Sequence, residues 1–120
     1  MTIPRRSADA TSQAAPVTAL DESNFDRAIS AVRPTLVAFG GPGCAPCEAL
    51  RPILRELAGE HAGRLQIGTV RLDVAPGFVG RFTLKAMPTL IVFAAGVEQK
   101  RITGVTGKSQ LVRELAELLP

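Results

Sequence analysis

Thr35-Leu36-Val37-Ala38-Phe39-Gly40-Gly41-Pro42-Gly43-Cys44-Ala45-Pro46-Cys47 passes from an unbroken apolar run, through a glycine-rich turn, to two cysteines at the head of a helical pattern. Thr35 to Phe39 has the length and continuous apolarity of a central strand buried on both faces. Beyond the turn, Ala49, Leu50, Ile53, Leu54, Leu57 and Ala58 recur at helical spacing and predict a helix from Ala45 to about His61. Pro52 falls inside it, removes one backbone donor and predicts a kink. A strand before and a helix after put Cys44 at a helix N-terminus, where unpaired N–H groups and the helix dipole favour thiolate over thiol. Cys44 is therefore the candidate nucleophile. Two intervening residues let Cys47 reach it within the first turn, so a disulfide can open and close locally, with Cys47 as the resolving thiol.

Working outward, Val17 to Leu20 reads as an edge strand and Asp21 as the N-cap of a helix from Glu22 to Val32, with Phe25, Ala28, Ile29 and Val32 at helical spacing. Arg33-Pro34 is expected to stop it. Leu65 to Val74 supplies a strand, and a short helix follows around Pro76 to Phe82. Thr89 to Ala94 and Val97 to Thr103 form a hairpin about Ala95-Gly96, and Lys108 to Leu119 closes the chain as a helix with Leu111, Val112, Leu115, Leu118 and Leu119 inward. This order implies an α/β fold, a central mixed sheet with helices on both faces.

The 120 residues, 46% hydrophobic, suffice for one core. Met1 to Pro16 lacks an apolar period and reads as a flexible tail, leaving 17–120 as the domain. The net charge of +3 is scattered rather than striped, so a nucleic-acid partner is not expected. No window approaches the roughly 20 apolar residues of a membrane span. Arg5-Arg6 is followed by small polar residues instead of the apolar core of an export signal, and the expected location is cytoplasmic. Two cysteines cannot build a disulfide framework of the secreted kind. They serve chemistry or half a metal site, and His61, the single histidine, lies at the far end of the helix.

Taken together, the strand Leu36 to Phe39, Cys44-Ala45-Pro46-Cys47, Pro52, Asp73, Met87-Pro88-Thr89-Leu90 and Gly104 resemble the thioredoxin family in order and spacing, over about Val17 to Leu119. The resemblance implies the thioredoxin fold and a thiol-disulfide oxidoreductase acting on protein disulfides. It implies no metal, nucleotide or flavin, because the two thiols are the reactive group. An external reductant, a thioredoxin reductase or another dithiol donor, would reset a monomeric protein. It also implies a cis Met87-Pro88 bond across from Cys44, and a substrate groove formed by Gly43, Met87, Pro88, Gly104 and Val105.

The chain departs from that family where tuning residues are expected. Gly40 and Gly43 replace two tryptophans, Ala38 a buried acid, and Thr69 its lysine partner. Without the acid, Cys47 has no local base, which implies slow release of a mixed disulfide. Ala45 and Pro46 between the cysteines add no charge, whereas Glu48 opposes a nearby thiolate. Two rival readings stand beside this one, the first modestly favoured by these losses. One is a redox-sensitive module that binds clients with little turnover; the other is a dimer sharing four thiolates around zinc or an iron-sulfur centre.

Overall fold

The computed structural model describes residues 17–104 and 107–119. Five strands, β1 (Val17–Leu20), β2 (Thr35–Gly40), β3 (Gln66–Arg71), β4 (Thr89–Ala94) and β5 (Val97–Thr103), form one sheet in the order β1-β3-β2-β4-β5. The helices are α1 (Phe25–Ile29), α2 (Ala45–Glu60), α3 (Gly77–Phe82) and α4 (Lys108–Ala116). β1 and β2 run parallel to β3, whereas β4 runs antiparallel to β2 and β5 to β4. The mixed sheet, helices on both faces and element order are those expected from the sequence.

β2 explains the two-layered core. Its side chains alternate faces. Leu36 and Ala38 join Leu50, Leu54 and Leu57 of α2 and Leu111 and Leu115 of α4 on one face. Val37 and Phe39 join Phe25 of α1 and Phe78 of α3 on the other. All five phenylalanines meet on that second face, and Phe25 packs against each of the other four at centroid distances from 4.7 to 6.1 Å. Such tilted and edge-on pairs add to the stability of area burial alone. Arg81 lies 5.1 Å from the Phe25 centroid and pairs with Asp26, joining α3 to α1.

Several expectations are corrected. α1 is shorter than Glu22 to Val32 because Asp21 does not cap it. The Asp21 carboxylate instead accepts from the N–H of Ser23 at 2.8 Å and from its hydroxyl, while the Asn24 side chain accepts from the Asp21 N–H at 2.7 Å. These bonds hold a turn, and the helix starts only after Asn24. At the other end Ser30 donates its hydroxyl to the Arg27 carbonyl, and Val32 is 84% exposed. β3 stops at Arg71, where the N–H groups of Val74 and Ala75 turn back onto the Arg71 carbonyl. Ala49 and Val112 face solvent rather than the core. Pro52 stands on the exposed side of α2, which continues past it to Glu60.

The Ala95-Gly96 turn has φ of 52° and 80°, the left-handed pair that a two-residue hairpin needs to match strand twist. It also anchors α1, since the Ala95 and Gly96 N–H groups donate to the Ala31 and Ile29 carbonyls at 2.8 Å.

Candidate active site

Strand register gathers the site. Phe39 at the end of β2 pairs with Thr89 at the start of β4, and Thr89 pairs with Thr103 at the end of β5. The loops that continue from these residues, 40–44, 87–88 and 104, therefore emerge at the same end of β2, β4 and β5. The Leu72 N–H donates to the Gly40 carbonyl at 2.8 Å and fixes the first of them to the segment after β3. The Met87–Pro88 peptide bond is cis. The buried Thr89 hydroxyl donates across it to the Ala86 carbonyl at 2.8 Å. Met87 is 46% exposed and lies beside Gly41, while Pro88 is buried. Gly104 has φ of 66° and is exposed; Val105 lies outside the described residues.

Cys44 is the N-cap of α2, with extended backbone, and Ala45 and Pro46 open the helix behind it. Proline there forfeits only a donor that the first turn leaves unpaired. Cys44 and Cys47 form a disulfide with Cα atoms 5.2 Å apart. The Cys47 N–H donates to Cys44 Sγ at 3.2 Å, and the Glu48 N–H to the Cys44 carbonyl at 3.1 Å. When the disulfide opens, that same N–H and the 16-residue helix behind it favour negative charge on Cys44. Cys44 is only 9% exposed as a residue, and Cys47 is half-buried.

Two glycines shape the turn before the disulfide. A Cβ at Gly40 would stand 2.7 Å from Cys47 Sγ and 3.3 Å from its Cβ, so the sulfur occupies space that any other residue would claim. Gly43 has φ of 76°, a conformation that costs an L-residue roughly 1–2 kcal/mol. The second glycine thus fits the turn itself, not merely a missing platform. Sequence reading marked Gly40 as a lost tryptophan but missed its contact with Cys47, which only folding reveals.

Behind Cys47 lies a cavity of about 820 Å³, lined by Ala38, Thr69, Leu50, Leu54 and Pro88 among others. Ala38 and Thr69 are register partners on β2 and β3, so the two positions where the family's acid and lysine are absent face each other. Three exposed arginines, Arg51, Arg55 and Arg71, border the cavity. Arg71 is held by Asp73 in a bidentate pair with distances of 3.1 and 2.6 Å, whose hydrogen bonds keep the Asp73 carboxyl below its usual range. Glu48 sits 3.8 Å from Arg51. Arg55 has no acidic partner among the described residues. His61 caps the far end of α2. Among the described residues no three potential metal ligands converge, and no helix is long and apolar enough to cross a membrane.

Comparison with known proteins agrees with this geometry. A family model for thioredoxin matches residues 16–117. The chain is 35% identical over 108 residues to a thioredoxin of Mycobacterium tuberculosis, covering 90% of this chain and 93% of that protein. Identity is also 35% over 100 residues to a thioredoxin of Alicyclobacillus acidocaldarius, covering 83% and 95%. A third similar protein is the bifunctional thioredoxin reductase/thioredoxin of Mycobacterium leprae, 33% identical over 112 residues; the match covers 93% of this chain but 24% of that longer protein. With a disulfide-bonded Cys-Ala-Pro-Cys at the head of α2 and its sheet topology, the chain belongs to the thioredoxin family of thiol-disulfide oxidoreductases.

Proposed function

We propose that Cys44, as thiolate, attacks the disulfide of a protein substrate, and that Cys47 then attacks Cys44 Sγ to release the reduced substrate and leave the Cys44–Cys47 disulfide. The observation that carries this reading is the placement of Cys44 Sγ at the α2 N-cap, where it accepts the Cys47 N–H. Substrate pairs in extended form along Met87 and Pro88, with Gly43 and Gly104 on either side; main-chain pairing of this kind tolerates many sequences. The emergence of loops 40–44, 87–88 and 104 at the same end of the strands supports that groove. Ala38 supplies no proton acceptor, so the second step relies on solvent or substrate and is slow.

The protein works as a monomer in the cytoplasm, reset by an external dithiol donor. The joined name of the Mycobacterium leprae relative makes a thioredoxin reductase the natural candidate for that donor. Trapping tests the assignment of roles. Cys47→Ser is expected to accumulate a mixed disulfide between Cys44 and a protein disulfide substrate such as insulin, while Cys44→Ser accumulates none. Accumulation in Cys44→Ser alone would reverse the two roles.

A further inference from the structure

The cavity behind the disulfide reaches one cysteine of the pair. Cys47 lines it and Cys44 does not. Its walls are apolar where Ala38, Leu50, Leu54 and Pro88 meet it, and its volume of about 820 Å³ lies within the range of small-molecule sites. Three arginines border it, beside the carboxylates of Asp21 and Glu48, and Asp73 pairs with one of them, Arg71. The Asp21 carboxylate is occupied by Ser23, Arg71 by Asp73, and Glu48 lies near Arg51. Arg55 remains as the cation without an acidic partner among the described residues. A ligand suited to this space is smaller than a protein and carries a carboxylate for Arg55. It also has a group that can react with the Cys47 sulfur.

We infer that the cavity admits a low-molecular-weight thiol bearing carboxylates, which reduces the disulfide by attacking Cys47 Sγ rather than Cys44 Sγ. The inference rests on the proposed redox role of the pair and gives it a second source of electrons, besides a protein reductant. In the first step the thiolate forms a bond to Cys47 Sγ, the Cys44–Cys47 bond breaks, and its electron pair leaves on Cys44 Sγ. Cys44 is the better leaving group because the Cys47 N–H and the α2 N-terminus face its sulfur. In the second step another molecule of the thiol, as thiolate, attacks the small-molecule sulfur of the mixed disulfide. Cys47 departs as thiolate and takes a proton from solvent. Two thiols become one disulfide and the protein gains two electrons. Gly40 makes the route possible, since a side chain there would meet Cys47 Sγ.

Glutathione, a tripeptide thiol with two carboxylates, is a suitable probe. The oxidised full-length protein is mixed with excess reduced glutathione, quenched with N-ethylmaleimide at short times, and mapped by tandem mass spectrometry. The expected early species carries glutathione on Cys47 and maleimide on Cys44. Glutathione on Cys44, or no adduct on Cys47 at any time, overturns the inference. A second measurement compares reduction by glutathione with reduction by the uncharged thiol 2-mercaptoethanol. In Arg55→Glu the ratio of the two rates is expected to fall by about two- to fivefold, the range of an exposed charge contact. An unchanged ratio removes the cavity's charge from the account. Failure of the underlying redox reading looks different, because dithiothreitol would then support no substrate reduction at all.

Discussion

Gly40→Ala isolates the contact between the end of β2 and the resolving sulfur. A Cβ at this position stands 2.7 Å from Cys47 Sγ, whereas non-bonded atoms of this size settle at about 3.5–4.0 Å. The sulfur must therefore retreat by about 1 Å. In the dithiol it can do so by rotating about its own Cα–Cβ bond. In the disulfide it is tied to Cys44, whose backbone is the cap of α2, so both residues must shift together. Overpacking of this kind costs about 1–3 kcal/mol, and here it falls mainly on the oxidised form. For a two-electron couple about 1.4 kcal/mol corresponds to 30 mV, so the reduction potential is expected to rise by roughly 20–60 mV. The assay equilibrates wild type and variant in dithiothreitol buffers of graded poise, traps free thiols by alkylation, and reads the oxidised fraction by mass spectrometry. A potential unchanged within about 10 mV, or shifted to more negative values, refutes the argument that Gly40 makes room for the disulfide.

Three further outcomes follow from the same geometry. Ala38→Asp places a carboxylate on the wall of the cavity that Cys47 lines, and is expected to speed resolution of a trapped mixed disulfide by about 100-fold, the lower range for a positioned base; an unchanged stopped-flow rate would show that the missing acid does not limit this step. Phe25→Ala removes a fully buried ring in contact with the four other phenylalanines and is expected to lower the unfolding free energy by about 3–5 kcal/mol, read from urea denaturation. Gly43→Ala meets no atom within 4 Å but must hold φ of 76°, so a loss of about 1–2 kcal/mol is expected in the same experiment, and no loss would show that the turn readily takes another conformation.

The parts of this protein legible in its sequence are those specified locally. Continuous apolarity marked β2 as a strand buried on both faces, helical spacing marked α2, and the two patterns together placed Cys44 at the cap. The Ala95-Gly96 hairpin was legible for the same reason. α1 was read too long because periodicity records which positions could face a core. It does not record whether Asp21 and Asn24 will bond each other's backbone into a turn first. Val112 shares the spacing of Leu111 and Leu115, yet α4 rotates it towards solvent. The cavity was the least legible feature. It arises from small side chains on β2 and β3 and from Gly40, while Arg55 reaches its border from α2. No single stretch of sequence contains it.

Dithiothreitol-driven reduction of insulin, measured for the wild-type protein and for Cys44→Ser, tests the central claim most directly. The account predicts steady turnover by the wild type and none above background in the variant. Turnover that survives in Cys44→Ser, or its absence in a folded wild type with both thiols accessible to alkylation, would contradict the assignment of this disulfide as the reactive centre.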